Sequence, residues 1–344
     1  MAGNFWHSSH YEQWLLEKAD VLRGRADDLK VYSEDDYQKV IIFFSNLIHQ
    51  IATNHHVQVQ GKTTRMQVIA TACVYFKRFY VRRSFKDVDP FLMAPACIFL
   101  ASKAEEHGVL STKSLLHAMI PSCSTLIGGM DWPTLSPFLE SLKKIGPLSA
   151  QGEMNSRVAM LQEAEFILLE ILDCCLVVYQ PYRPLQQLIT DLKDVREAER
   201  SSSSSAAAAA ISSSSSALFA SLPLEQLEAD TWRICNDSMR TDASLLYAPH
   251  LIAIGCIQLA ALWMGKEEAM SAWFAELVVD FEKVFEIVQI LLAFYKHAAS
   301  LSDKETVKTL LEKLPHGSAT AQQSMSDSAS STPAVTSTSS SGYM

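Results

Sequence analysis

Two decapeptides constrain the fold of this chain more than any other feature: LMAPACIFLA, from Leu92, and LYAPHLIAIG, from Leu246. Each opens a strongly apolar helical segment after a polar turn. A helix that is apolar on most sides is stable only when other helices surround it. The helices before them also compare, Ala70 onward with Ala229 onward. Five helical patterns lie on each side of the 176–184 connection, with a shorter one near 303–313 after the second set, which implies two copies of one five-helix unit. The fold class is all-α, since no run of alternating strands appears anywhere.

The periodicity supports that reading along the chain. From Tyr37, apolar residues recur at 40, 43, 44, 47, 48 and 51, the spacing of one helix face. Met66 to Val81 is apolar on most sides. The next helix has Asp89 as N-cap, Pro90 at its first position and Gly108 at its far end. Further helices are expected near 112–120, 153–172, 182–192, 224–240, 247–264, 267–279, 280–299 and 303–313. Three stretches look added. Residues 121–152 are rich in Pro, Gly and Ser and read as a long surface loop. The run SSSSSAAAAAISSSSS at 201–216 reads as a mobile linker, and the Ser/Thr-rich end as a disordered tail.

Composition removes several classes of function. Twenty-nine basic against 38 acidic residues give a net charge of −9, which argues against a direct nucleic-acid partner. The most apolar stretch, Leu251 to Gly265, is interrupted by Gln258 and falls short of the roughly 20 residues a bilayer requires, so no membrane partner is expected. Seven cysteines without a CxxC pair read as reduced core residues in a reducing compartment. No phosphate-binding glycine loop, HExxH or nucleophile elbow is present, and His55 and His56 are adjacent rather than at helical metal spacing. The expectation is a protein with no catalytic residues, no metal and no cofactor.

Two charges stand on apolar rows. Positions 158, 161, 165, 168 and 172 read Val, Leu, Glu, Leu, Leu, so Glu165 interrupts a stripe that includes Leu168. Positions 92, 96, 99 and 103 read Leu, Ala, Phe, Lys, so Lys103 closes a stripe that includes Phe99. Such charges reach water, pair with each other, or meet a partner. The start of the chain crowds Phe5, Trp6, Tyr11, Trp14 and Leu15 ahead of the first repeat, to pack on the core or to contact another protein. In the second repeat, Trp232, Asn236 and Arg240 share a helix face, with Asp237 in reach of Arg233 or Arg240. That polar stripe is either an internal network or a groove.

Several of these segments are familiar. NFWHSSHYEQW, IATACVYFKRFYV, DPFLMAPACIFLASKAEE, EAEFILLEILDCCLVVYQPYRPL and DTWRICNDSMRTDASLLYAP, in this order, resemble the cyclin family, and within it the branch that serves the Mediator complex. The resemblance covers residues 1–314 apart from the Ser/Ala run. It implies an N-terminal helix in 1–36, a first cyclin box at 37–176 and a second at 177–300 with its insertion at about 195–220. A C-terminal helix at 301–314 and a tail at 315–344 follow. It implies a nuclear, non-enzymatic subunit that activates a cyclin-dependent kinase of the Mediator kinase module. The family's kinase-contacting lysine and glutamate fall on Lys103 and Glu165, with Phe99, Leu168, Phe5, Trp6, Tyr11 and Trp14 about them. For another subunit of that module it implies a groove of Trp6, Glu105, Trp232, Asn236, Asp237 and Arg240. The alternatives are a general-transcription-factor-like core, which should be basic, and a pocket-type peptide-binding scaffold.

Overall fold

The computed structural model describes residues 3–127, 136–143, 151–203, 219 and 221–315. Five helices form the first unit: α3 (Glu34–Ala52), α4 (Met66–Arg82), α5 (Pro90–Ala104), α6 (Thr112–Ile127) and α8 (Gln151–Ile171), with the short α7 (Pro137–Lys143) beside them. Ahead of it lies an arm containing α1 (Ser9–Trp14) and α2 (Lys18–Gly24). The second unit contains α9 (Tyr182–Ser203), α10 (Leu224–Ser238), α12 (Pro249–Trp263), α13 (Glu267–Glu276) and α14 (Phe281–Ser300). The one-turn α11 (Ala243–Leu246) precedes α12, and α15 (Lys304–Glu312) ends the described chain. The strands among the described residues are one small hairpin, Gln58–Val59 against Lys62–Thr63. Two repeats of one all-α unit are therefore observed, as the decapeptides imply.

Each decapeptide forms the middle of its unit. Helix α5 packs against α3, α4, α6 and α8, and its residues from Met93 to Ser102 are all buried. Helix α12 holds the equivalent place among α9, α10, α13 and α14. Asp89 caps α5 by accepting from the Phe91 N–H at 2.9 Å, and Pro90 takes the first turn, where no N–H is needed. The far end differs from expectation. Glu106 takes the left-handed position (φ 48°), two residues before Gly108. Gly108 serves the hairpin instead: at φ 106° a Cβ there would lie 2.7 Å from Cγ1 of Val59.

The expected loop at 121–152 is partly helical. Helix α6 continues through Pro121 to Ile127 because Leu116, Met119, Cys123 and Ile127 keep one buried face across it. Burying that face offsets the roughly 3 kcal/mol that an interior proline costs. Ser136 then starts α7, accepting from the N–H groups of Phe138 (3.1 Å) and Leu139 (3.2 Å), and Phe138, Leu139 and Leu142 join the core. Helix α9 runs to Ser203, past the expected end near 192 and into the start of the run read as a linker. The rest of the Ser/Ala run, from 204 to 216, and the tail from 316 lie outside the described residues.

Two large hydrophobic cores result among the described residues, one per unit, with a small third cluster of Val21, Val81 and Leu245 between them, and three further features tie them together. Tyr182 packs against both cores. The arm touches both, Trp14 lying in the first and Phe5 against the second. Buried polar groups join the units directly. Lys77 of α4, with no exposed surface, donates to the carbonyls of Met239 (2.8 Å) and Thr241 and to the Ser244 hydroxyl (2.8 Å). Arg25 grips Asp242 through two nitrogens, at 2.5 and 2.9 Å, and the Gln38 amide donates to the same carboxylate at 2.6 Å.

Candidate functional site

The ends of α5 and α8 bring the two awkward charges together. Lys103 and Glu165 form an ion pair, the carboxylate buried and the lysine about a third exposed. The Lys103 ammonium also stands 4.3 Å from the centre of the Phe99 ring. Of the three fates open to these charges, the chain alone adopts the internal pair. Phe99 is largely covered, and Leu168 is wholly buried with Leu161 and Ala164 beneath Glu165. Leu168 therefore belongs to the core and offers no surface to a partner in the chain alone. Sequence reasoning missed Phe166, the residue after Glu165 on α8, which is 70% exposed. Its signal was the helical spacing that leaves it off the buried row.

The arm divides by residue. Trp14 is 1% exposed, and the guanidinium groups of Arg78 and Arg82 lie 4.9 and 4.2 Å from its ring. Trp14 is thus core, contrary to its expected place among partner contacts. His10 is also buried, and its Nδ1 accepts from the Tyr179 N–H at 3.0 Å. Burial, with Arg78 adding to it, pushes the His10 pKa down to about 3, so the ring is neutral and fit to accept. Phe5 is partly covered and packs edge-on against His10 and Tyr179 at 5.5 Å each. Trp6 and Tyr11 remain exposed, their rings 5.1 Å apart.

A cleft of 720 Å3 lies at the junction of the units, lined among others by Trp6, Gln67, Gln180, Tyr182 and His250. Glu105 stands behind Gln67, which donates to it at 2.6 Å, as does Thr71. Burial raises the Glu105 pKa against the pull of those two donors. Trp232 stacks behind Tyr182, ring centres 6.1 Å apart and 20° from parallel. Trp6, Glu105 and Trp232 thus surround one cleft, two of them through an intermediary. Asp237 instead pairs with Arg240 at 2.8 Å and accepts from the Tyr295 hydroxyl at 2.9 Å, an internal network. Asn236 is half-buried between these two groups of contacts along α10.

Among the described residues no group of His, Cys, Asp and Glu forms a metal site, and all seven cysteines are unpaired. No single described helix is long and apolar enough to cross a membrane.

Two five-helix repeats, joined face to face with an aromatic arm across them and a charge pair on an apolar row, define a cyclin-type protein. The family model of the cyclin N-terminal domain matches residues 45–176 and that of the cyclin C-terminal domain matches residues 180–284. Proteins named cyclin-C are 43% identical in Drosophila melanogaster, 40% in Rattus norvegicus and 38% in Caenorhabditis elegans. Each match covers 92% of this chain and 97%, 91% and 93% of the relative in turn. The chain belongs to the cyclin family. Its fold also resembles a chain of the CAK complex of Chaetomium thermophilum (TM-score 0.56, 15% identity), covering 98% of each. A chain of the yeast RNA Pol II CTD kinase CTDK-1 complex is similar too (TM-score 0.53, 13% identity), over 94% of this chain and 86% of that one. At such identities these two likenesses concern the fold alone. A cyclin is the regulatory subunit of a kinase and is not itself catalytic.

Proposed function

We propose that this chain is the cyclin-C-type subunit that binds and activates a cyclin-dependent kinase of the Mediator complex, and so regulates RNA polymerase II transcription in the nucleus. The observation that carries the reading is the extent of identity to cyclin-C proteins, 38–43% over 92% of the chain, on a fold that keeps Lys103 and Glu165 together at its surface. The kinase's mobile helix and adjoining backbone sit over Lys103, Glu165, Phe99 and the exposed Phe166. The Glu165 carboxylate accepts from unpaired N–H groups at the start of that helix and Lys103 donates to nearby carbonyls. The pair must open or be shared for this to happen, and an ion pair preformed at the site holds both side chains in position beforehand. Held in this way, the kinase keeps its helix glutamate against its ATP-binding lysine, the arrangement phosphoryl transfer requires.

Trp6 and Tyr11 serve as exposed aromatic anchors for the kinase, while Phe5 and Trp14 hold the arm to the boxes. Another subunit of the Mediator kinase module occupies the cleft beside Trp6, with Glu105 and Trp232 supporting its walls from behind, while Asp237 and Arg240, engaged with each other and with Tyr295, brace α10 from within. An aromatic cleft beside directional polar groups suits an extended segment. One reconstitution tests both contacts. Lys103→Ala with Glu165→Ala should leave the melting temperature near that of the wild type and weaken kinase binding by about tenfold or more. Trp232→Ala should keep the binary kinase complex and lose the third subunit. Unchanged kinase affinity in the double variant would refute the kinase-binding role of the pair.

A further inference from the structure

The expectation that the cysteines are core residues holds for five of the seven. Cys174 is exposed and Cys175 half-buried, side by side in the turn that follows α8. Asp173 (φ 50°) and Cys174 (φ 55°) both take the left-handed conformation there, which residues other than glycine rarely adopt. Backbone of this kind persists only where its surroundings impose it. Here they do. Arg82 donates to the Ile171 carbonyl at 2.8 Å and to the Asp173 carboxylate, and the Tyr75 hydroxyl donates to the Leu176 carbonyl at 2.6 Å.

The same turn holds the arm. The Cys175 thiol donates to the side-chain oxygen of Gln13 at 3.2 Å. Its carbonyl accepts from Nη1 of Arg78 at 3.3 Å, and that guanidinium lies 4.9 Å from the centre of the Trp14 ring. An independent observation concerns Arg78. It has no exposed surface and pairs with no carboxylate among the described residues, and its Nε–H and Nη2–H groups have no acceptor. Burial pushes its pKa down to about 10, Tyr75 and Cys175 working against burial and Arg82 with it. A buried cation with unused donors at Cys175 is placed to receive negative charge at that residue.

We propose that Cys174 and Cys175 form a redox modification site, which hydrogen peroxide converts from two thiols to a disulfide between neighbours, loosening the arm. The exposed Cys174 sulfur attacks the peroxide; its S–O bond forms as the O–O bond breaks, giving a sulfenic acid and one water. The Cys175 sulfur then attacks as a thiolate, its charge answered by Arg78. The S–S bond forms and the S–O bond breaks, and the departing hydroxide takes up the proton released by Cys175 to give the second water. Two thiols thus lose two electrons and one peroxide gains them. Neighbouring Cα atoms stand about 3.8 Å apart, below the roughly 4.4–6.8 Å that disulfides usually span. The turn must therefore shift to close the ring, and the bond is readily reduced again. Closure removes the hydrogen that Gln13 accepts and displaces the carbonyl that holds Arg78 against Trp14. Trp6 and Tyr11 belong to the same arm, so oxidation also displaces the anchors assigned above to the kinase, a consequence that rests on that assignment.

Oxidation and loosening are measured on the full chain without the kinase. After treatment with hydrogen peroxide the chain is alkylated with iodoacetamide in denaturant and digested with trypsin. The peptide 158–193 contains these two cysteines and no other. It should lose two hydrogen atoms and escape alkylation, then accept two alkyl groups once dithiothreitol has been added, while the five buried cysteines remain thiols. In Cys174→Ser the peptide should stay reduced, and in Cys175→Ser a sulfenic acid should persist at Cys174 and be captured by dimedone. Amide exchange at residues 9–14 of the unaltered chain should quicken by about fivefold or more on oxidation and return with dithiothreitol. In Cys174→Ser, which keeps the contact of Cys175 with Gln13, peroxide should leave that exchange unchanged. Earlier oxidation of a buried cysteine, a disulfide between two chains, or unchanged exchange in the oxidised arm would overturn the proposal.

Discussion

The Asp242 carboxylate is buried and accepts three side-chain hydrogen bonds, two from Arg25 and one from Gln38. Burial alone would raise its pKa, but the Arg25 guanidinium, assisted by Lys77 and the Gln38 amide, outweighs burial and holds it down at about 2. Because the folded pKa lies below the unfolded value of 3.8, the contribution to stability is complete above pH 3.8 and is lost as pH falls through about 2. The difference corresponds to roughly 2 kcal/mol. Asp242→Asn should remove the part of the acid-side loss that falls in this window. At neutral pH it should cost about 3–5 kcal/mol, since Arg25 is left buried without its counter-charge. Urea melts at pH 2.5, 4 and 7 for both proteins decide the matter, and an unchanged acid slope in the variant would remove Asp242 as its cause. This clamp was readable only in part. Lys77 and Arg78 are adjacent charges inside a helix apolar on most sides, which signals buried partners. The partners Arg25 and Asp242 are 217 residues apart and follow no spacing rule. Lys103 and Glu165, by contrast, stand out because each breaks a row of fixed period.

At the scale of elements, the arm is joined to the first box by a contact that no side-chain pattern announces. Gly24 ends α2 against α4 so closely that a Cβ there would lie 2.0 Å from the Val81 carbonyl oxygen. In an exposed helix Gly→Ala gains about 1 kcal/mol. Here the neighbour is backbone and cannot yield, so Gly24→Ala should destabilise the protein and loosen the arm. Proteolysis within residues 15–26 should accelerate in that variant, and a gain in melting temperature would show that the close approach relaxes freely. The elements themselves were legible wherever burial and period agreed, as in α3, α4, α5 and α12. They were misread where a local breaker competed with burial. Pro121 suggested a stop, but the apolar face of α6 continues across it, and the Pro-, Gly- and Ser-rich composition around 136–143 concealed the buried Phe138, Leu139 and Leu142. The aromatic arm could not be apportioned from sequence, because an aromatic ring suits a core and a partner surface equally. The fold decides it, burying Trp14 and leaving Trp6 exposed.

At the scale of the whole molecule, the chain closes on itself. After the second box, α15 returns to the first box, where Val307, Leu310, Leu311 and Leu314 are buried in its core against α3 and α6. The Tyr32 hydroxyl donates to the Leu310 carbonyl at 3.0 Å, and Lys313 lies 3.3 Å from Asp36. The arm before the first box reaches the second, and the helix after the second box reaches the first. Each box is thus held by a segment that lies beyond the other, and this crossing gives the two cores a shared stability that adjacency alone would not. Helix α15 has too few residues to be helical alone, since isolated helices under about 12–15 residues are marginal in water. Its order comes from the face it buries. Leu311→Ala should therefore cost about 2–5 kcal/mol, and the cost should appear in the first box. Amide exchange provides the readout: protection should fall in α3 and α6 as well as in α15 itself. If α15 alone loses protection, the helix is an appendage resting on the first box, and the crossing of the two ends contributes nothing to its stability.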